Sequence, residues 1–192
     1  MRIVTDKNIL SKPCDLITSN KTLFERANAL IKAIKKMPWA IGLADNQIGG
    51  HHRIFVAKLG SKERLTVVFN PSISHHFIKG NKEVNYTEEC LSLGKEYYPT
   101  KRWKSISLEQ TKKIIHPQGP HDDPIPDTYL SLHRGKVKLN KYSLREHYPY
   151  RCLFHNRDAQ VIQHEIDHLD GILISDKKEE LMMKRALAFN II

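Results

Sequence analysis

Residues 161–171 have the sequence Val-Ile-Gln-His-Glu-Ile-Asp-His-Leu-Asp-Gly, and this stretch decides what can be expected of the fold. Apolar residues recur around it at three- to four-residue intervals, which predicts an amphipathic helix. Asn156 can cap the start of that helix, and Gly171 is typical of a helix end. The apolar positions predict that the helix is buried in a core.

The same stretch carries a pattern typical of metal sites. His164 and His168 are four residues apart, so a helix sets both imidazoles on one face, where they can share one ion. Glu165 lies about 100° around the helix, which puts it within reach of a water at that ion. Two buried His and a Glu would be costly without a metal. The pattern therefore predicts a metal site with Glu165 as general base.

A third protein ligand has to come from elsewhere in the chain. The metzincin class would have its third His at position 174, where this chain has Ile, so that class is excluded. Glu179 and Glu180 lie downstream, but their segment is highly charged and favours solvent. A cysteine is the better candidate. Cys90 is favoured over the other two because it lies in the polar sequence Glu-Glu-Cys-Leu-Ser.

Length and composition limit the class of protein. The chain has 192 residues, of which 40% are hydrophobic and 27% charged, as expected for one soluble globular domain over residues 1–192. No run approaches the roughly 18 apolar residues of a membrane span, and the N-terminus lacks the apolar core of a signal peptide. We expect a cytoplasmic protein with no membrane partner. Three cysteines, at positions 14, 90 and 152, do not suggest a disulfide framework.

Further elements can be predicted from periodicity. Thr22 and Glu25 have capping-box spacing, and apolar residues at helical intervals predict a helix over Leu23–Met37. β-Branched and aromatic runs at residues 53–59 and 65–71 predict two paired strands around a turn at 60–63. A short strand at 105–108 and a hairpin within 130–139 complete the predicted elements.

Charge is unevenly distributed along the chain. The net charge is +10, and residues 101–151 contain 11 basic against 5 acidic residues. Residues 111–151 are rich in Pro, His, Asp and Lys, and they are predicted to form an insertion-like surface segment. An amphipathic stretch at 177–188 is predicted to dock on the core. The basic region 101–151 favours an anionic partner, for which we expect the ribosome rather than DNA.

Three segments resemble, in order, the motifs of the peptide deformylases. The match extends over about residues 3–110 and 153–176, and the chain has the character of a divergent member. The motif segments are Ala40-Ile41-Gly42-Leu43-Ala44-Asp45-Asn46-Gln47, Glu88-Glu89-Cys90-Leu91-Ser92 and Gln163-His164-Glu165-Ile166-Asp167-His168-Leu169-Asp170-Gly171.

The resemblance implies a fold and a metal. The fold is α+β, with small, mostly antiparallel sheets around a central helix that carries both His. The metal is one divalent ion, natively Fe(II) and often replaced by Zn or Ni, held by Cys90, His164 and His168. Two imidazoles and one thiolate suit such an ion. Glu165 is then the base that accepts a proton from water and returns it to the leaving amine.

The implied substrate is the N-formyl-methionyl end of a nascent polypeptide, which is hydrolysed to formate and a free amine by a monomeric enzyme. The resemblance assigns oxyanion donors to the Gln47 amide and the Leu91 backbone N–H. It assigns pairing with an extended peptide to the backbone of Ile41, Gly42 and Glu89. Gly42 suits that role because a missing side chain allows close approach.

Several residues depart from the family pattern. Ala40 replaces a Gly, Asp45 replaces an Ala close to Gln47, and Glu89 replaces a Gly beside Cys90. Asp45 is expected to alter how Gln47 is held, and Glu89 is expected either to narrow the cleft or to favour a basic second residue in the substrate.

The resemblance implies that the side-chain pocket for methionine falls at about Arg157 and Gln160, a polar pair that suits a thioether poorly. These departures leave two alternatives to a working deformylase open. One is a metal-binding paralogue that acts mainly by binding RNA or the ribosome, and the other is a peptidase for unformylated chains.

Overall fold

The computed structural model describes residues 2–75, 78–110, 130–133, 136–137 and 152–177 of the chain. Three helices are present in these ranges: α1 at Lys7–Leu10, α2 at Asn20–Lys35 and α3 at Asn156–Leu169. Between α2 and α3, a 3₁₀ turn spans Asp45–Ile48. A short helical turn at residues 174–177 comes after α3. None of the helices in the described ranges is long and apolar enough to cross a membrane.

The strands form three small sheets, and neighbouring strands in each sheet are antiparallel. The five-stranded sheet has the order β1-β2-β3-β8-β9, with β1 Gly42–Ala44, β2 Ile54–Leu59, β3 Arg64–Phe69, β8 Leu130–His133 and β9 Lys136–Val137. The three-stranded sheet has the order β10-β7-β4, with β4 Pro71–Ser74, β7 Ser105–Gln110 and β10 Cys152–His155. The third sheet pairs β5 Glu83–Cys90 with β6 Gly94–Trp103. This confirms the predicted α+β class.

Strand β2 is buried on both faces, which explains the apolar run at residues 54–57. Ile54 and Val56 point into a core formed with α2, whereas Phe55 and Ala57 point into a second core formed with α3. The five-stranded sheet therefore separates two apolar layers. Helix α3 lies on the second layer, so the residues of its opposite face are presented toward β5 and β6.

The first long helix begins earlier than the sequence predicts. Leu23, Ala27, Leu30 and Ile34 form its buried stripe, as expected from their spacing. The helix cap, however, is Ser19, whose hydroxyl accepts a hydrogen bond from the backbone N–H of Thr22. The predicted start at Leu23 is therefore wrong, because a serine three residues upstream of Thr22 satisfies the free N–H groups first.

The start of α3 also differs in detail. The helix spans Asn156–Leu169 and ends shortly before Gly171, as predicted, but the capping position is His155 rather than Asn156, and no side chain caps it. Asn156 is the first helical residue and has a positive φ of 51°. Its backbone N–H donates to the carbonyl of Lys104, which replaces the predicted side-chain cap.

The other predicted elements can be compared with the described strands. The paired strands are confirmed, but β3 ends at Phe69 because Asn70 turns the chain, with φ 45°, into the separate strand β4. The hairpin is confirmed by the backbone pairing of β8 with β9. Most of the 111–151 segment and residues 178–188 of the C-terminal stretch lie outside the described residues. The single-domain organisation stays a prediction.

Candidate active site

The structure brings together the three predicted metal ligands. His164 and His168 project from α3, and Cys90 ends strand β5. The ligand atoms of the three residues lie within 4.8 Å of one another, and Cys90 Sγ is 3.2 Å from His168 Nε2. In the described part of the chain, this is the one cluster of His, Cys and acidic side chains with such spacing. The other two cysteines lie outside this cluster, in the second core (Cys14) and on β10 (Cys152).

An observation that does not depend on sequence spacing also indicates that Cys90, His164 and His168 suit a metal ion. Oε2 of Glu165, beside the cluster, is buried and has no hydrogen-bond partner in the described structure. Two imidazoles and one sulfur converge on the same point, which is the donor combination of Cys/His metal sites. These residues therefore form a potential metal site.

A buried carboxylate that the sequence prediction missed holds His164. Glu88 Oε2 lies 2.9 Å from His164 Nδ1, which leaves Nε2 of the imidazole directed to the cluster. Glu88 in turn accepts hydrogen bonds from Thr100 Oγ1 (2.8 Å) and from Arg102 Nε (2.8 Å). Arg102 also bonds Asp167 on α3. Strand alternation is the signal that was available, because Glu88 is two residues from Cys90 and shares its inward face.

The charges in this network are coupled. Burial alone raises the pKa of Glu88, but hydrogen bonds from Arg102 and His164 outweigh it and hold that pKa well below its ordinary value. Burial alone lowers the pKa of His164, yet its bonds to Cys90 and Glu88 raise that pKa to about 10. Burial and the charge of His164 lower the pKa of His168.

Glu165 is placed as a general base would be. Its side chain is buried, and it lies on the cleft wall beside the cluster without being one of the three clustered ligands. Burial raises the pKa of Glu165 to about 7, and the nearby His164 moderates the shift. A carboxylate with that pKa can take up and release a proton near neutral pH.

The glycine predicted to let the substrate approach has another role in the structure. A Cβ atom added to Gly42 would overlap the carboxylate of Glu165. Gly42 is therefore required, first of all, by the position of Glu165. Sequence analysis identified a close approach at this residue but assigned it to the peptide, because a local motif does not show which group packs against it.

Substitution of Gly42 by Ala is expected to displace the Glu165 carboxylate. Since a shift of about 1 Å in a catalytic group costs on the order of 100-fold, kcat/KM for formate release should fall by about 10- to 100-fold in Gly42→Ala. A double-mutant cycle provides the control. If Gly42 acts through Glu165, adding Gly42→Ala to Glu165→Gln should cost little more. Equal losses in both backgrounds would show that the glycine acts on the substrate instead.

Gln47 lies in the 3₁₀ turn with its carboxamide fixed at both ends. Oε1 accepts from the backbone N–H of Ala44 (2.9 Å), and Nε2 is directed to Cys90 Sγ (3.7 Å) and Ser92 Oγ (3.3 Å). The neighbouring Asn46 donates to the carbonyl of His168, so the turn is tied to α3. The amide N–H group of Gln47 therefore points into the site beside the cluster.

Asp45 makes no direct hydrogen bond to Gln47 among the described contacts. Its buried carboxylate accepts from Arg26 Nε at 2.8 Å and from the backbone N–H of His52 at 3.1 Å. It thus anchors the start of the turn to α2, on the side away from the cluster. Gly50 makes room for this pair, since a Cβ there would overlap both Asp45 and Arg26.

Removal of Arg26 alone should destabilise the fold more than removal of both Arg26 and Asp45. Arg26 is 25% exposed, whereas Asp45 is fully buried, so Arg26→Gln leaves a buried charge without its cation. We expect a loss of about 2–3 kcal/mol in the free energy of unfolding. The double variant Arg26→Gln/Asp45→Ala should be more stable than Arg26→Gln. Additive losses in urea unfolding would contradict this coupling.

A cleft of about 280 Å³ opens beside the cluster. Predicted residues that line it are Gln47, Leu91, Glu165 and His164, the proposed peptide-binding residues Ile41, Gly42 and Glu89, and Gln160. Arg157 does not line the cleft, because its exposed guanidinium pairs with Glu63 at 3.0 Å. The prediction for Arg157 is therefore wrong in placement. The cleft also includes Trp39, Tyr97 and Val161, which sequence analysis missed because each lies outside the recognised motifs.

Comparison with known proteins accounts for this arrangement. The family model described as polypeptide deformylase matches residues 1–116 and 125–184. The chain belongs to this family. Only residues 117–124 fall between the two matched parts, so most of the predicted insertion lies within the match.

Individual relatives agree with the family match. The chain is 31% identical over 134 residues to the peptide deformylase of Clostridium beijerinckii, which covers 70% of each protein. It is 27% identical over 184 residues to that of Dictyoglomus thermophilum, covering 96% of this chain and 95% of the relative. Family membership and these relatives establish an enzyme of the peptide deformylase type.

Solved structures share the fold. The crystal structure of the Thermotoga maritima peptide deformylase superposes with a TM-score of 0.64 at 23% identity, covering 92% of this chain and 95% of that one. A peptide deformylase from Legionella pneumophila gives 0.62 at 21% identity, with 99% and 94% covered. The predicted arrangement of small antiparallel sheets around the helix is thereby confirmed.

Proposed function

We propose that the protein removes the N-formyl group from the N-terminal methionine of nascent polypeptides and releases formate. The observation that carries this proposal is the Cys90–His164–His168 cluster with the buried Glu165 carboxylate beside it, at the floor of an open cleft. A cluster of this kind supports hydrolysis of an amide. Family membership supports the formyl amide as the bond that is cleaved.

Two strand edges flank the cleft and support binding of an extended peptide. Strand β1 is at the edge of the five-stranded sheet, and β5 pairs only with β6 within the described residues. Gly42 of β1 and Glu89 of β5 both line the cleft, so a chain between them could pair with either backbone. Such pairing recognises the main chain and accepts many different nascent sequences. It supports the assignment of Ile41, Gly42 and Glu89 to substrate binding.

The metal that fits Cys90, His164 and His168 is a divalent ion, which we propose is natively Fe(II), with Zn or Ni as replacements. When bound, such an ion acts as a Lewis acid and lowers the pKa of water. Glu165 accepts the proton of the attacking water and passes it to the departing amine of methionine. The pKa of about 7 supports both halves of this transfer.

The negative charge that develops on the formyl oxygen needs preorganised donors. We assign this role to Nε2 of Gln47 and to the backbone N–H of Leu91. The hydrogen bond from Ala44 to Gln47 Oε1 orients the amide so that its N–H group faces the cluster. Gln160, together with Val161, supports a mixed polar and apolar wall for the methionine side chain.

The deciding experiment measures formate release by protein that is prepared anaerobically with Fe(II). Formyl-Met-Ala-Ser should be hydrolysed, whereas acetyl-Met-Ala-Ser and the unmodified peptide should not. Protein stripped by a chelator should be inactive and should recover with Fe(II), Zn or Ni. No formate at full metal occupancy would favour the non-catalytic paralogue, and cleavage of the unmodified peptide would favour a peptidase.

We further propose that the protein is a cytoplasmic monomer.

The proposed partner of residues 101–151 is the ribosome, based on their basic composition. Replacing the lysines at 136, 138 and 141 by Gln should weaken co-sedimentation with ribosomes severalfold at low salt and leave hydrolysis of a short peptide unchanged. Equal replacement of the lysines at 32, 35 and 36 on α2 is the control. Unchanged co-sedimentation in the first variant would contradict the proposal.

A further inference from the structure

One acidic side chain in the cleft is not used by the chemistry. Three carboxylates line the cleft, and among its described lining residues there is no lysine or arginine. Glu88 is buried and forms an ion pair with the buried Arg102, and Glu165 is assigned to proton transfer. Glu89 is exposed and forms no ion pair with any described residue, although it lies next to the ligand Cys90.

The exposure of the residues along β5 shows where Glu89 points, at the place where the pairing with β6 shifts register between Glu88 and Cys90. Glu88 and Cys90 are buried, whereas Thr87 and Glu89 are exposed and line the cleft. The Glu89 side chain therefore lies on the outer face of the strand, at the mouth of the cleft.

Two exposed aromatic residues belong to the same cleft. Tyr97 is 66% exposed and Trp39 is 70% exposed. The Glu89 carboxylate lies close enough to the Tyr97 phenol to raise its pKa. A carboxylate beside aromatic rings is a typical environment for an ammonium or guanidinium group.

The geometry of an extended peptide selects the substrate residue that would meet Glu89. Successive side chains of a strand point to opposite faces. If the methionine side chain points to the floor formed by Gln160 and Val161 of α3, the next side chain points outward. There it becomes a cross-strand neighbour of the outward-pointing Glu89.

We propose that Glu89, with Tyr97 beside it, selects formyl-methionyl chains whose second residue is lysine or arginine. This inference rests on the proposed deformylase function and deepens it by naming a substrate class. The protein discriminates against chains with Asp or Glu at that position by charge repulsion. An exposed pair of this kind has a modest energy, so the preference modulates the rate and does not exclude other substrates.

The test compares peptides that differ only at the second residue: Lys, acetyl-Lys, Ala and Glu in formyl-Met-Xaa-Ser. At low salt, kcat/KM should be about fivefold to tenfold higher for Lys than for Glu, with Ala and acetyl-Lys between them. The ratio should shrink towards about twofold in 0.5 M NaCl because the pair is exposed. Glu89→Gln should reduce the Lys-to-Glu ratio to within about twofold.

The matched control is Glu83→Gln, which removes the same charge from the same exposed face of β5 but outside the cleft. It should keep the full Lys-to-Glu ratio. An equal loss of the ratio in Glu83→Gln, or an unchanged ratio in Glu89→Gln, would overturn the assignment to Glu89. A preference for acetyl-Lys equal to that for Lys would show recognition of length rather than charge, which also overturns it.

A binding measurement separates this inference from the proposed function. Zn-loaded Glu165→Gln should bind the formyl-Met-Lys-Ser peptide about fivefold more tightly than the Glu peptide, and the added Glu89→Gln should remove the difference. If the metal-loaded protein releases no formate from any peptide, the proposed function fails, but the binding ratio still decides the role of Glu89. Equal binding of both peptides overturns the inference even when formate is released.

Discussion

Glu165→Gln should abolish most of the hydrolytic activity while the protein remains folded and loaded with metal. The amide keeps the size of the carboxylate but cannot accept a proton, so kcat should fall by about 10²- to 10⁴-fold. Formate release and metal content are to be measured on the same preparation. Because Glu165 is not one of the three clustered ligands, we expect the metal content to equal that of the original protein.

Gln160→Ala is the matched control for this prediction, since Gln160 lies one helical turn away on α3 and lines the same cleft. That variant should change KM more than kcat, because it removes a wall of the proposed side-chain pocket and leaves the proton transfer intact. Turnover retained by Glu165→Gln at full metal occupancy would refute its assignment as the base.

Arg102→Leu should have the largest effect on stability. Arg102 is almost fully buried and bonds both Glu88 and Asp167, so its removal leaves two acidic groups short of their shared cation. Asp167 retains Lys177 at 2.7 Å, whereas Glu88 retains only Thr100 and His164. We expect the free energy of unfolding to fall by about 3–5 kcal/mol. Metal affinity should fall by about 10- to 100-fold because Glu88 orients His164.

Arg157→Leu is the matched control for Arg102→Leu. Its ion pair with Glu63 is about half exposed on both sides, so the change should be within about 1 kcal/mol. Urea unfolding of the metal-free and metal-loaded proteins separates the two effects on stability and affinity. If Arg102→Leu costs no more than Arg157→Leu, the buried network does not stabilise the fold.

The helix α3 shows how far local sequence information reaches. Its end at Leu169, shortly before Gly171, agrees with the prediction because it depends on apolar spacing and on Gly171, which has a φ of 72°. Its start lies one residue earlier than predicted, because His155 rather than Asn156 occupies the cap position. The assignment of Arg157 to the pocket rested on the resemblance to the family rather than on spacing. It was wrong because Glu63, in the turn between β2 and β3, pairs with the arginine outside the cleft.

The hydrogen-bond network of Glu88, Arg102 and His164 shows which contacts cannot be predicted from sequence spacing. Val84, Tyr86, Glu88 and Cys90 alternate with more exposed residues along β5, so the sequence contained a signal that Glu88 faces inward. Nothing in the local sequence indicated that Arg102 would be its cation or that His164 would be its second partner. Those partners come from the pairing of β5 with β6 and from the packing of α3 against both.

The sequence by itself determined a helix with two imidazoles on one face and a carboxylate beside them, because 3.6 residues per turn sets that geometry locally. It also indicated a cysteine thiolate as the third ligand. The tertiary structure decided which groups meet: Cys90 with His168, Glu88 with His164 across 76 residues, and Glu165 with Gly42. It also turned Glu89 outward at the mouth of the cleft. Each of these contacts joins residues from different strands or helices. They therefore depend on how the sheets and the helix pack together and not on the spacing of residues along the chain.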